Sequence, residues 1–149
     1  MFKSQKVIAR TLFSVLAFLS FVPQFVGQYT PETALDVNGG CGGGNLDAGA
    51  QLAPANVPAP NCGSNTGGAN VVWFTMTLTT GTEVLTGSGG NSPSPLTDVA
   101  MAVYTFDGTN YALVACDDDT GLGNYPQISL NLAPGTVIYI SMWDYGNNQ

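Results

Sequence analysis

Between Val71 and Thr80 the chain reads VVWFTMTLTT, with apolar and polar side chains alternating from Phe74 to Thr79. A period of two places Val72, Phe74, Met76 and Leu78 on one face and Trp73, Thr75, Thr77 and Thr79 on the other, which a strand accommodates and a helix does not. QISLNL (127–132) repeats the pattern, burying Ile128, Leu130 and Leu132 and exposing Gln127, Ser129 and Asn131. VAMAVYT (99–105) and TVIYISMW (136–143) are apolar on both faces, as central strands covered from both sides would be. Shorter strands are expected at 83–86 and 111–115. Gly81, GSGGNSPSP (87–95), FDGTN (106–110) and APGT (133–136) supply turn residues between them. Short strands at this spacing indicate an all-β, antiparallel sandwich.

The N-terminus stands apart from this pattern. MFKSQKVIAR is positively charged, and TLFSVLAFLSFV (11–22) is an apolar run closed by Pro23, too short to span a bilayer. Residues 1–27 therefore read as a signal-peptide helix, and the chain as secreted or displayed at the cell surface. Residues 28–69 form a Gly/Pro-rich entry segment, and 70–149 the sandwich. The last strand, TVIYISMW, is followed only by a turn-like DYGNNQ, so the sandwich is expected to be incomplete at its C-terminus, with further modules of the parent chain beyond it.

Charge narrows the partners. Lys3, Lys6 and Arg10 are the only basic residues, and His is absent. Removing the leader takes the formal charge from −7 to −10, because no acid precedes Glu32. Such a surface excludes a binder of nucleic acid, which needs Lys and Arg against phosphates. It also argues against membrane insertion after cleavage. Without an imidazole, Ser–His–Asp and Cys–His catalysis are excluded as well. GGCGGGNLD (39–47) fits neither a dinucleotide nor a phosphate loop. Three Cys at 41, 62 and 116 suit no zinc site. In an exported chain Cys41 and Cys62 are the expected disulfide pair, leaving Cys116 as a buried thiol or the partner of a more distant cysteine.

The run CDDDTGLGNYPQ (116–127) poses the sharpest question, because three adjacent carboxylates face a chain with no base to neutralise them. Two readings stay open. Calcium takes six to eight oxygen ligands, and Asp117, Asp118 and Asp119, joined by Asp98, would offer carboxylates beside a glycine-rich loop. Alternatively the aspartates cap backbone N–H groups in a tight turn. Trp73, on the threonine face, and Tyr125 and Tyr145, in loops, are candidate ligand contacts.

The order NVVWFTMTL, TDVAMAVYTFDGTNYALVACDDDTG, ISLNLAPGTVIYISMWDYG resembles the pre-peptidase C-terminal domain of secreted bacterial proteins, over about Asn70 to Gly146. Asp98, Asp118 and Asp119 fall on that family's acidic positions. Asn70 stands where an Asp is expected, Val99 replaces a Thr, and the final strand is missing. The resemblance implies a jelly-roll-like sandwich, non-catalytic, serving as an accessory or adhesion-type module of an exported protein. Some relatives bind calcium or an extracellular polymer or protein. The competing expectation is a secreted hydrolase that works through paired carboxylates, glycosidase-like, or a carbohydrate-binding module.

Overall fold

A computed structural model describes residues 30–38, 40–43, 54–60, 62, 71–89 and 97–145. The signal-peptide segment 1–27, most of the GSGGNSPSP turn and the C-terminal residues 146–149 lie outside the described residues. Among the described residues a 3-10 turn, Pro31–Thr33, precedes seven strands: β1 (Leu35–Asp36), β2 (Val71–Thr77), β3 (Thr82–Thr86), β4 (Val99–Phe106), β5 (Tyr111–Asp117), β6 (Gln127–Asn131) and β7 (Val137–Asp144). The six strands expected from alternation and turn residues are all present, within two residues of their expected ends except where the first stops three residues early, at Thr77. Among the described residues no helix is long and apolar enough to cross a membrane.

The strands form a five-stranded sheet, ordered β1-β2-β7-β4-β5, and a two-stranded sheet of β3 and β6. The two doubly apolar strands, β7 and β4, sit inside the larger sheet, as their composition requires. Every pairing is antiparallel except β1 with β2, which run parallel in register Leu35↔Phe74 and Asp36↔Thr75. The expected all-β, antiparallel sandwich is present, with that short first strand added in parallel at one edge. Two residues carry too little alternation to be read from sequence.

Turn chemistry closes the hairpins. Asp107 Oδ1 accepts hydrogen bonds from the N–H groups of Thr109 and Asn110, both at 2.8 Å, and Gly108 adopts φ 99° between β4 and β5. Only glycine enters that conformation without strain. Between β6 and β7, Gly135 (φ 85°) donates its N–H to Leu78 O at 2.8 Å, tying that turn to the end of β2.

Two cores follow from the pleat. On one face Val72, Phe74, Met101, Val103, Ile138 and Ile140 meet Ile128 and Leu130 of β6, with Met76 and Leu85 packed against them. This is the sandwich core, and it matches the face expected for β2. The opposite face carries Trp73, Ala100, Ala102, Tyr104, Tyr111 and Trp143, and it is covered by Val57 and Cys62 of the entry segment. Trp73 is 0% exposed, so its side chain is not available for the ligand contact expected of it. Its threonine neighbours suggested water, but a Pro-rich strap, residues 54–60 with Cys62, lies there instead. Burying an aromatic of this size stabilises the fold by about 2–3 kcal/mol, so this second core is a principal part of the domain.

The strap is held covalently. Cys62 is bonded to Cys116 on β5, 54 residues away, while Cys41 is an exposed free thiol. The Cys41–Cys62 pairing expected from proximity in sequence is therefore wrong. Cys62 lies against the aromatic face, and Cys116 shares that face because a β-bulge between Val103 and Tyr104 pairings shifts β5 by one residue. Tyr111 N–H also donates to Asn56 O at 3.4 Å, a second tie between strap and sheet.

Candidate functional site

The acidic residues gather at one end of the large sheet. Asp98 immediately precedes β4, and Asp144 ends β7 opposite Val99. Asp117 ends β5 opposite Met101, and the loop 118–126 then leads to β6. Tyr145 N–H donates to Asp98 O at 3.2 Å, and Val99 N–H to Asn124 O at 3.4 Å, so backbone bonds draw the loop and both strand ends together.

Asp117 is committed to this corner. Its Oδ2 accepts from Thr120 Oγ1 at 2.7 Å, Thr120 N–H at 3.2 Å and Gln127 N–H at 2.7 Å. Thr120 Oγ1 also lies 3.0 Å from Gln127 O. Burial alone would raise the Asp117 pKa, but the donors from Thr120, Gln127 and Asp118 outweigh it and hold the carboxyl below its usual value. For Asp117 the turn-capping reading therefore holds. Because β5 ends at Asp117, Asp118 and Asp119 lie in the loop that follows it.

Asp98 behaves in the opposite way. Desolvation raises its pKa first, followed by repulsion from Asp118, Asp144 and Asp119. Those acids are thus its electrostatic neighbours, and no Lys or Arg lies beyond Arg10 to offset them. Hard oxygen donors of this kind suit calcium chemically. Yet among the described residues no group of three or more acidic, His or Cys side chains is arranged to hold a metal ion. A cation here would have to draw Asp98, Asp118 and Asp119 together and complete its shell with carbonyl and water oxygens.

Beside this end, a shallow open cleft of about 630 Å³ runs between the end of β3 and the 121–127 loop, lined by Thr86, Ser88, Leu122, Tyr125 and Pro126. Its floor depends on glycine: a Cβ on Gly121 would come within 2.6 Å of Tyr125 O, and one on Gly87 within 2.7 Å of Pro126 Cγ. Of the three aromatic candidates, Tyr125 alone lines a cleft. Tyr145 packs against the aromatic core and Trp73 is inside it.

Sequence reasoning missed the other end of the sheet. Phe106 and Tyr111, paired across the FDGTN turn, stack with ring centroids 4.5 Å apart at 28°. Tyr139 meets Tyr111 edge-on at 5.2 Å and Phe106 at 6.3 Å. Burial, then the Glu32 carboxylate, then Tyr139 push the Tyr111 hydroxyl up to about 12. Aromatic residues flanking a hairpin turn at positions that pair were the available signal.

No family model, curated protein or solved structure matches the chain.

Proposed function

We propose that the chain is a non-catalytic binding module, of accessory or adhesion type, in an exported protein. The supporting observation is the Cys62–Cys116 bridge, which fastens an irregular Pro-rich strap over an aromatic sheet face. Disulfides of this structural kind persist in oxidising compartments outside the cytosol, in keeping with the leader-like N-terminus. The resemblance to pre-peptidase C-terminal domains rests on sequence order alone and leads to the same reading. Calcium at Asp98, Asp118 and Asp119 belongs to the proposal as a stabilising ion.

A second reading has one observation behind it. Asp98 is held above the usual carboxylate pKa beside Asp118 and Asp119, which is how a carboxylate-based hydrolase separates its acid from its base. One experiment separates the two. The full chain is incubated with insoluble and soluble polysaccharides and with immobilised extracellular-matrix protein, and both retention and released reducing sugar are measured. Retention without turnover is expected. Turnover that disappears in Asp98→Asn would establish the hydrolase instead.

A further inference from the structure

The aromatic end of the large sheet lies about 27 Å from the acidic end, counting eight residues of strand from Asp98 to Phe106. The register places its parts side by side on the strap-bearing face. Asp36 pairs with Thr75, Thr75 with Tyr139, and Tyr139 with Tyr104, while one row further out Thr77 pairs with Val137. Phe106 is 40% exposed and Val137 46% exposed, although the same face is covered elsewhere by Val57 and Cys62. The patch has an apolar floor of Phe106, Tyr139 and Val137. Its acidic surroundings are Glu32, close enough to act on Tyr111, and Asp36 at the sheet edge.

We propose that this patch docks a basic, arginine-containing segment of a partner protein, one guanidinium lying on Phe106 on the Glu32 side and a further cation of the segment reaching Asp36, three strands away at the sheet edge. The inference rests on the reading of the chain as a binding module and adds its surface and partner class. Charge complementarity selects the occupant. From Thr11 onward the chain carries ten acids and no base, so a second copy brings no cation to these carboxylates, and polyanions are repelled. Arginine suits the floor better than lysine, because a planar, weakly hydrated guanidinium stacks on aromatic rings while an ammonium stays solvated.

The probe is a fluorescently labelled alternating Gly–Arg peptide, compared with Gly–Lys, Gly–citrulline and Gly–Glu peptides by anisotropy, with cellohexaose as a neutral competitor. The arginine peptide should bind most tightly, weaken with salt and be indifferent to cellohexaose. Phe106→Ala should weaken binding about two- to fivefold, and the milder Val137→Thr should act in the same direction. Glu32→Gln with Asp36→Asn should also weaken it, while Asp118→Asn with Asp119→Asn, equal in charge removed but at the far end, should not. Unchanged affinity in Phe106→Ala, or equal loss in the two double variants, would mean diffuse attraction to an acidic protein and overturn the proposal. Binding of cellohexaose in place of the peptide would assign the patch to a glycan and overturn it too. Neither result touches the binding-module reading, which is decided by retention and turnover on the polymers.

Discussion

Gln127 N–H donates to Asp117 Oδ2 at 2.7 Å, joining the last residue of β5 in the large sheet to the first residue of β6 in the small one. The bond spans the corner at which the chain leaves one layer of the sandwich for the other. Thr120, bonded to the same oxygen, folds the intervening loop beneath it. One aspartate therefore fixes the corner, and its neighbours, half-buried Asp118 and exposed Asp119, follow in the turn it makes.

Asp117→Ala is expected to destabilise the domain by about 1 kcal/mol, since charge-assisted hydrogen bonds are worth more but this carboxyl is largely open to solvent screening. For a domain of this size that is a fall of several degrees in Tm. The pH dependence has a definite sign. The folded pKa lies below the ordinary aspartate value, so the stabilisation is complete above that ordinary value and lost as pH falls through the folded pKa. Thermal melts of parent and variant should differ at pH 7 and converge as the pH falls below the ordinary aspartate range and through the folded pKa. A gap that persists in acid would place the effect in packing.

Asp98→Asn should act oppositely. The folded pKa of Asp98 is raised by desolvation and by Asp118, Asp144 and Asp119. An acid so shifted favours the fold while protonated and costs stability as pH rises through its folded pKa. Removing the charge should raise Tm at pH 7 in metal-free buffer and leave it unchanged below about pH 3, where the carboxyl is neutral in both states. A lower Tm at neutral pH would show that the carboxylate is satisfied by a partner.

The bridge gives a prediction about covalent structure. Non-reducing peptide maps should contain a Cys62–Cys116 cross-linked peptide and alkylated Cys41. Closing a loop with the observed separation of 54 residues contributes about 4 kcal/mol in the chain-entropy model, so Cys62→Ser should lower Tm sharply and Cys41→Ser should not. Recovery of a Cys41–Cys62 peptide would refute the assignment.

The strands were readable from local properties, alternation in β2 and β6 and apolar runs bounded by turn residues in β4 and β7. What covers a face is not local. Met76, placed by alternation on the buried face, does pack against the sandwich core. The cover of Trp73 was not legible, because residues 54–60 with Cys62 supply it, an irregular stretch with no period to read. The disulfide failed for a related reason: closeness in sequence favoured Cys41, whereas the fold brings Cys62 to β5. At the acidic end, composition located Asp98 and the aspartate run, but only geometry separates Asp117, spent on the corner, from Asp118 and Asp119.

Both faces of β2 can be tested together. Trp73→Ala should cost about 3–5 kcal/mol, as aromatic truncations in a core do. Met76→Asp should be comparably damaging, because it sets an unpaired charge against the sandwich core. Urea unfolding followed by far-UV circular dichroism gives both values. A Trp73→Ala loss below about 1 kcal/mol would mean that the strap does not seal the second face in solution.

The last prediction concerns calcium. Asp98 is crowded by Asp118, Asp144 and Asp119, and the chain has no base after Arg10, so a cation is the only charged group that relieves them. With three carboxylates not yet closed around a point, affinity should fall in the weak range of extracellular modules, a Kd on the order of 10⁻⁴–10⁻³ M. At a hundredfold excess over Kd, binding would stabilise the fold by about 2.7 kcal/mol. Melts in EDTA, millimolar calcium and millimolar magnesium separate a site from screening, because screening acts alike for both ions. A calcium-selective rise in Tm, abolished by Asp118→Asn with Asp119→Asn and retained in Asp117→Asn, is the expected result. The Asp117 arm discriminates most, since that carboxylate already holds the corner and should be dispensable for the ion. Equal shifts with both metals, or a calcium shift indifferent to Asp118 and Asp119, would leave the acidic end as a solvated turn.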